Sequence, residues 1–115
     1  MKMTRILVCG GRDFANRELF DRTMLLYLAD AKVVIHGGAS GADKMASAWA
    51  KEYGIQEIAC PADWQLYGRM AGPKRNQAML DLHKPDTVIA FPGGRGTADM
   101  LKRGVRAGLP CVQVA

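Results

Sequence analysis

Long hydrophobic runs are absent from this sequence. Its apolar stretches are far shorter than the roughly 20 residues that a helix needs to cross a bilayer, and its first residues show no signal-peptide pattern. Internal repeats, linkers and low-complexity segments are absent as well. Because 115 residues suffice for one hydrophobic core but not for two, we expect a single cytoplasmic domain over residues 1–115, without a membrane partner.

Cysteine and aromatic residues are also scarce. The three cysteines, Cys9, Cys60 and Cys111, match no metal-ligand spacing, so we expect reduced thiols in predicted strands, with no disulfide and no bound metal. Aromatic residues make up 7% of the chain, which leaves few side chains to stack on exposed bases. The net charge of +5 indicates either an anionic partner or simply a basic surface. If there is an anionic partner, the shortage of aromatic residues favours a small molecule over single-stranded nucleic acid.

Short apolar runs alternate with helical patterns along the chain. The predicted strands are 5–9, 32–36, 56–60, 87–91 and 111–114, and the predicted helices are about 16–29, 42–53, 73–84 and 97–107, with a loop at 61–72. The alternation predicts an α/β fold: a Rossmann-like three-layer domain with a five-stranded, mostly parallel sheet. We expect the strand order 3-2-1-4-5, which places strands one and four side by side at the switch point where such sheets bind ligands.

Three of these strands end at closely spaced glycines and continue into a helix. The glycines are Gly10 and Gly11 after the first strand, Gly37, Gly38 and Gly41 after the second, and Gly93, Gly94 and Gly96 after the fourth. Such a loop directs free backbone N–H groups and the positive end of a helix dipole toward one small volume, which suits a phosphate. The loops match neither the P-loop nor the G-x-G-x-x-G pattern. Glycine is also common in ordinary strand-to-helix turns, but three such loops in one small domain favour a ligand site.

Carboxylates near these loops have both a structural and a chemical interpretation. Ser40 and Asp43 have nearly the spacing of a capping box, so we expect both to stabilise a helix start. Asp43 could also contact a ribose hydroxyl or act as a catalytic carboxylate. Asp13 is the second catalytic candidate, and Asp99 belongs to the same class, although such carboxylates more often cap helices. His36 fits a structural histidine better than a catalyst.

Basic residues are concentrated in the predicted loops and helix starts, at Arg12, Arg69, Lys74, Arg75 and Arg95. Arg75, followed by Asn76, is the best phosphate or ribose contact, because a guanidinium group can bind two phosphate oxygens at once. Trp64 could stack on a base or be a partly buried loop aromatic. The candidate ligand-binding residues are Gly10, Gly11, Arg12, Gly37, Gly38, Ser40, Gly41, Asp43, Trp64, Arg75, Asn76, Gly93, Gly94, Arg95, Gly96 and Thr97.

These motifs resemble the SLOG superfamily of Rossmann-like domains, which includes the Lonely Guy phosphoribohydrolases and the Smf/DprA DNA-processing proteins. The similarity is greatest to its YspA-like branch of bacterial and phage proteins. It is carried by GGRDF at 10–14, HGGASGAD at 36–43, Asp63-Trp64, GPKRN at 72–76 and FPGGRGTADM at 91–100. The resemblance implies a nucleotide-derived ligand. It also implies a homo-oligomer, for which the first helix offers an apolar stretch at Leu25, Leu26 and Leu28.

The Lonely Guy enzymes carry PGGxGTxxE, whose glutamate is thought to assist cleavage of the bond between a base and ribose 5′-phosphate. Residues 92–97 match the first part of this motif, but Met100 stands in place of the glutamate. In their second motif a lysine follows the arginine; Arg75 looks similar to that arginine, and Asn76 replaces the lysine. Since methionine cannot stabilise an oxocarbenium-like transition state, hydrolysis would need Asp43, Asp13 or Asp99 instead.

Three functions follow from these observations. The first is binding of a nucleoside monophosphate, NAD or an ADP-ribose relative, for sensing or sequestration and without a cofactor. The second is hydrolysis of a nucleotide N-glycosidic bond. The third, binding of single-stranded DNA, is motivated by the charge and by the Smf/DprA resemblance, and is ranked last.

Overall fold

The computed structural model, which describes residues 3–115, contains one five-stranded sheet with helices on both faces. The strands are β1 (Thr4–Cys9), β2 (Ala31–His36), β3 (Gln56–Ala59), β4 (Thr87–Ala90) and β5 (Cys111–Gln113). The helices are α1 (Arg17–Leu25), α2 (Ala42–Glu52), α3 (Trp64–Tyr67), α4 (Ala71–His83) and α5 (Arg95–Arg106), and a 3-10 turn at Gly68–Met70 precedes α4. The strand order is β3-β2-β1-β4-β5 and every pairing is parallel. The predicted fold class and strand order are therefore confirmed.

The central strands are buried on both faces, which explains their continuous apolar runs. Successive side chains of a strand point to opposite faces. Ile6 and Val8 of β1 accordingly belong to the core beneath α1 and α2, whereas Leu7 and Cys9 belong to the core beneath α4 and α5. The first core also contains Phe20, Met24, Val34, Trp49 and Phe91, and the second contains Val33, Ile35, Met79, Val88 and Met100.

The predicted loop at 61–72 is wrong in part, because the segment forms α3, the 3-10 turn and the start of α4. Trp64 is the first residue of α3, and Asp63 caps that helix by accepting a hydrogen bond from the Leu66 amide at 3.0 Å. Helix α4 begins at Ala71, so Pro73 is its third residue rather than its first. Proline is tolerated there because a first-turn N–H has no acceptor inside the helix.

Helix α5 begins at Arg95, two residues before the predicted cap at Thr97. Gly94 occupies the N-cap position, and no side chain caps the helix. Thr97 is buried within the first turn, and the buried face continues through Met100 and Gly104. A Cβ at Gly104 would lie 2.9 Å from Cys111 Sγ, so the absence of a side chain lets α5 pack closely on the sheet.

The apolar stretch that the sequence suggested for subunit contacts is divided between surface and core. Leu25 and Leu26 are 65% and 79% exposed, whereas Leu28 packs against the core beneath α1 and α2. The homo-oligomer stays a prediction. Within residues 3–115 no helix is both long enough and apolar enough to span a membrane.

Candidate functional site

A cavity of about 630 Å³ opens where β1, β2 and β4 end, at the switch point of the sheet. The strands are parallel, so the loops that follow them lie at one edge and meet α4 and α5 there. The cavity is lined by Val8, Cys9, Gly10, Gly11, Arg12, Gly37, Ala39, Asp43, Trp64, Arg69, Gly72, Pro73, Arg75, Asn76, Met79, Gly94, Arg95, Gly96, Thr97 and Asp99. Most of the candidate residues therefore lie around one volume.

The structure places Asp13, Gly38, Ser40, Gly41 and Gly93 outside the cavity wall. Asp13 is exposed to solvent. The hydroxyl of Ser40 donates a hydrogen bond to the Arg12 carbonyl oxygen at 3.2 Å, so it does not cap α2, whose N-cap residue is Gly41. The prediction that Ser40 and Asp43 form a capping box is therefore wrong.

Some of the glycines are explained by contacts between the loops themselves. Gly41 has a φ of 72°, and a Cβ there would lie 2.6 Å from the Arg12 carbonyl oxygen. A Cβ at Gly93 would lie 2.6 Å from the Gly11 amide nitrogen. These glycines allow the loops after β1, β2 and β4 to pack tightly together, a structural role that needs no ligand.

Gly94 and Gly96 differ from the other loop glycines. A Cβ at either position would meet no atom within 4 Å, and neither residue has a positive φ. No contact within the described chain therefore requires glycine at either position, although the φ of −104° and ψ of −139° at Gly94 lie outside the regions that other residues favour. Both residues line the cavity. The space that a side chain would occupy at either position is therefore open volume at the cavity wall.

The first turn of α5 is the helix start best suited to an anion. In α1 the Asn16 side chain accepts a hydrogen bond from the Leu19 amide at 3.0 Å, and in α2 the Ala42 amide donates to the Gly11 carbonyl at 3.3 Å. No side chain caps α5, and the first-turn amides of a helix have no acceptor within it. Residues 94–97 line the cavity, so the positive end of this helix dipole lies at its wall.

Arg75 is held by the protein through most of its donors. Its Nη1 donates to the carbonyl oxygens of Gly37 at 2.7 Å and Cys60 at 3.3 Å, and its Nε donates to Asn76 Oδ1 at 3.0 Å. Within the described residues these hydrogen bonds leave only Nη2 free to contact a ligand. The binding of two phosphate oxygens at once, expected from the sequence, would therefore require these bonds to rearrange. Burial lowers the pKa of Arg75, and the nearby Asp43 carboxylate opposes that effect.

Asp99, which the sequence left outside the candidate binding set, is a fixed carboxylate of the wall. Its Oδ2 accepts hydrogen bonds from Asn76 Nδ2 at 2.9 Å and from Arg103 Nε at 2.8 Å. Burial alone would raise the pKa of Asp99, but these two hydrogen bonds and the Arg103 charge outweigh it and hold the pKa below its usual value. Met100, by contrast, is fully buried in the core beneath α5. Asp99 is thus the acidic side chain that the 91–100 motif contributes to the cavity.

Asp43 is the other carboxylate in the wall, and it is only 6% exposed. Its Oδ2 accepts a hydrogen bond from the Ala39 amide at 3.2 Å. Burial raises the pKa of Asp43, although the Ala39 amide, the neighbouring His36 and the Arg75 charge act in the opposite direction. A buried carboxyl with a raised pKa is a candidate for proton transfer.

None of the four arginines of the wall takes part in an ion pair, because the ion pairs within residues 3–115 involve Arg17, His36 and Arg103. Arg75 is held by carbonyl oxygens and by Asn76, which leaves Arg12, Arg69 and Arg95 unpaired in that part of the chain. Arg95 is the first residue of α5, where the helix dipole disfavours a cation. An anion in the cavity would relieve this repulsion. No three His, Cys, Asp or Glu side chains of the described residues are grouped as a metal site requires.

An aromatic side chain forms the rim of the cavity. Trp64 is 48% exposed, and the Arg12 guanidinium lies 5.4 Å from the centre of its ring. On Gly72 a Cβ would lie 3.3 Å from the Trp64 ring, so this glycine lets the indole pack onto the start of α4. The indole is thus half exposed at the edge of the cavity, with a guanidinium group over its ring.

The fold and the cavity together define a small Rossmann-like domain with a glycine-loop site at its switch point. The chain belongs to the YspA, cpYpsA-related SLOG family, whose sequence model matches residues 4–67; the SLOG resemblance is thereby confirmed. It is similar to the gene 61 protein of Mycobacterium phage D29, with 34% identity over 96% of this chain and 95% of that protein. No protein of solved structure is significantly similar. Membership of the SLOG family suggests a nucleotide-related function.

Proposed function

We propose that the protein binds a nucleotide-derived ligand, such as a nucleoside monophosphate, NAD or an ADP-ribose relative, in this cavity. The observation that carries the proposal is the uncapped start of α5 beside Gly94 and Gly96, where missing side chains leave open volume. A phosphate there accepts hydrogen bonds from the first-turn amides. A volume of about 630 Å³ is within the range typical of ligand sites.

The charges of the wall suit a phosphate combined with a sugar and a base. The unpaired guanidinium groups of Arg12, Arg69 and Arg95 attract the phosphate. The Asp99 carboxylate, already fixed by Asn76 and Arg103, is an acceptor for a ribose hydroxyl. Such a ligand would place its base against Trp64. A protein that binds without turnover would serve to sense or sequester the ligand.

Thermal unfolding in the presence of AMP, NAD, ADP-ribose or a short single-stranded DNA tests the proposal. A ligand at a hundred times its dissociation constant stabilises the folded state by about 2.7 kcal/mol, which corresponds to a rise in Tm of several degrees in a domain of this size. We expect the rise with a nucleotide. A rise with DNA alone, or with none of the four, would refute the proposal.

The burial of Asp43 favours a second candidate, an N-glycosidic hydrolase of nucleotides. A carboxyl with a raised pKa can donate its proton to the departing base, and water then completes the cleavage at the ribose. Asp13, the other catalytic candidate, lies outside the cavity wall. Chromatography of each nucleotide mixture distinguishes the two functions. Free base or nicotinamide formed by the wild type and not by Asp43→Asn would establish hydrolysis; ligand recovered unchanged would exclude it for the nucleotides offered.

A further inference from the structure

We propose that His36 is a positioning residue for this cavity: its neutral ring holds the loop at Gly37 and Gly38 in the shape that binds ligand, and protonation of the ring weakens binding. This inference depends on the proposed function above. It assigns a role to a buried histidine that does not itself line the cavity.

The hydrogen bonds of His36 define its protonation state. Its Nε2 lies 2.8 Å from Glu57 Oε1 on the neighbouring strand β3, and its Nδ1 accepts a hydrogen bond from the Gly38 amide at 3.0 Å. A ring nitrogen accepts a hydrogen bond only when it carries no proton. The neutral ring with its hydrogen on Nε2 is therefore the form that satisfies both neighbours.

The loop that His36 holds is part of the cavity wall. The Gly37 carbonyl accepts from Arg75 Nη1 at 2.7 Å, the Gly38 amide donates to His36, and the Ala39 amide donates to Asp43 Oδ2 at 3.2 Å. Three consecutive residues are thus fixed by three side chains from β2, α2 and α4. A shift of Gly38 would move the Gly37 carbonyl and with it the position of Arg75.

Protonation of His36 replaces the acceptor at Nδ1 by a second donor that faces the Gly38 amide, so that hydrogen bond is lost. Charged groups of both signs surround the ring. They are Glu57 on β3, which is hydrogen-bonded to Ser47 and lies near Lys51, Asp43 on α2, and Arg75 on α4, whose Nη1 is bonded to the Gly37 carbonyl. Because one proton is linked to binding, the affinity can fall by at most about tenfold for each unit of pH.

The test measures NAD affinity by calorimetry between pH 8 and pH 5, since the diphosphate diester of NAD keeps its charge over this range. In His36→Asn the amide oxygen can accept the Gly38 hydrogen bond but does not titrate. We expect the NAD affinity of the wild type to fall about tenfold or more between these pH values, and that of His36→Asn to change less than about threefold. Glu57→Gln keeps an acceptor for Nε2 but removes the negative charge beside the ring. The NAD affinity of this variant should therefore begin to fall at a lower pH than that of the wild type.

The amide resonance of Gly38 in 15N-labelled protein gives a second readout that needs no ligand. It should shift between pH 8 and pH 5 in the wild type and stay constant in His36→Asn. The same pH profile in both proteins, by either readout, would overturn the inference. If NAD binds neither protein, the proposed function fails for NAD, while the Gly38 resonance still decides whether protonation of His36 releases the loop.

Discussion

The side-chain amide of Asn76 donates a hydrogen bond to the carbonyl oxygen of Gly96 at 3.2 Å, and this contact ties α4 to the first turn of α5. Its other amide hydrogen is donated to Asp99 at 2.9 Å, and its oxygen accepts from Arg75 at 3.0 Å. The buried amide thus connects three residues of the cavity wall, and its donors are used within the protein. Its role in the structure is to position the wall.

We expect Asn76→Ala to destabilise the protein, because it leaves buried polar groups without their partner. Such a loss typically costs about 1–3 kcal/mol, which lowers the Tm by roughly 4–8 °C for each kcal/mol in a domain of this size. Calorimetric unfolding measures the change. Leu82→Ala on the same helix is the control, because Leu82 is exposed and its removal should change stability by less than about 0.5 kcal/mol. An equal Tm for the two variants would contradict this assignment.

Two glycines of α5 should respond in opposite ways to a methyl group. Gly96→Ala should leave stability unchanged or raise it by up to about 1 kcal/mol, since alanine is the better helix former and its Cβ meets no atom within 4 Å. Gly104→Ala should destabilise the fold by about 1–3 kcal/mol, because its Cβ would lie 2.9 Å from Cys111 Sγ. Denaturant unfolding of both variants tests the pair. A loss of stability in Gly96→Ala as large as that in Gly104→Ala would show that Gly96 has a structural role.

The comparison of these glycines also shows how far the sequence predicts the site. The alternation of apolar runs with helical patterns sufficed for the parallel α/β class, and the strand order followed from an order expected for such a fold. The sequence did not distinguish Gly94 and Gly96, which border open volume, from Gly41 and Gly93, which pack against other loops. That difference depends on which loops meet in space, and no local pattern records it.

The same limit applies to the charged residues. Arg75 was expected to contact a phosphate or ribose. Its donors are instead bonded to carbonyl oxygens 38 and 15 residues away, at Gly37 and Cys60, and no local pattern predicts such distant acceptors. Asp99 lay within a motif that the sequence analysis identified. Because neighbouring residues of a helix point in different directions, a core position for Met100 could have indicated that Asp99 faces the cavity.

The two carboxylates of the wall should have opposite effects on the pH dependence of stability. Burial raises the folded-state pKa of Asp43, so its contribution to the free energy of unfolding is favourable at low pH and is lost as the pH rises through that pKa. Hydrogen bonds lower the folded-state pKa of Asp99. Its contribution to the free energy of unfolding is therefore present above the pKa of the unfolded state and is lost as the pH falls through the folded-state pKa. At pH 7 we expect Asp43→Asn to stabilise the protein and Asp99→Asn to destabilise it.

Urea unfolding at pH 7 and at about pH 3 measures both effects, since ordinary aspartates titrate near pH 3.9. The free energies of unfolding of both variants should lie closer to that of the wild type at the lower pH, where the carboxyls become protonated in the unfolded state. The same sign for both variants at pH 7 would contradict the environments described for these two residues.

Trp64 should contribute to binding only when the ligand has a base. We expect Trp64→Leu to weaken the binding of AMP by about 1–3 kcal/mol, the usual contribution of a stacked base, and to leave the binding of ribose 5-phosphate unchanged. Tyr53→Leu is a matched control, since Tyr53 is an exposed aromatic residue that does not line the cavity. Isothermal calorimetry with both ligands measures the difference. An equal loss for AMP and ribose 5-phosphate would place the base elsewhere.

The most direct test of the account is a titration of 15N-labelled protein with AMP, NAD and ADP-ribose in turn, followed through the backbone amide resonances. We expect at least one nucleotide to bind, with its largest shifts at the amides of residues 94–97, where α5 begins without a side-chain cap. We also expect these shifts to be strongly reduced in Gly94→Val, whose side chain would fill the open volume beside the helix start. Shifts centred away from these amides, or no shift with any of the three, would contradict the proposal that this cavity holds the phosphate of a nucleotide.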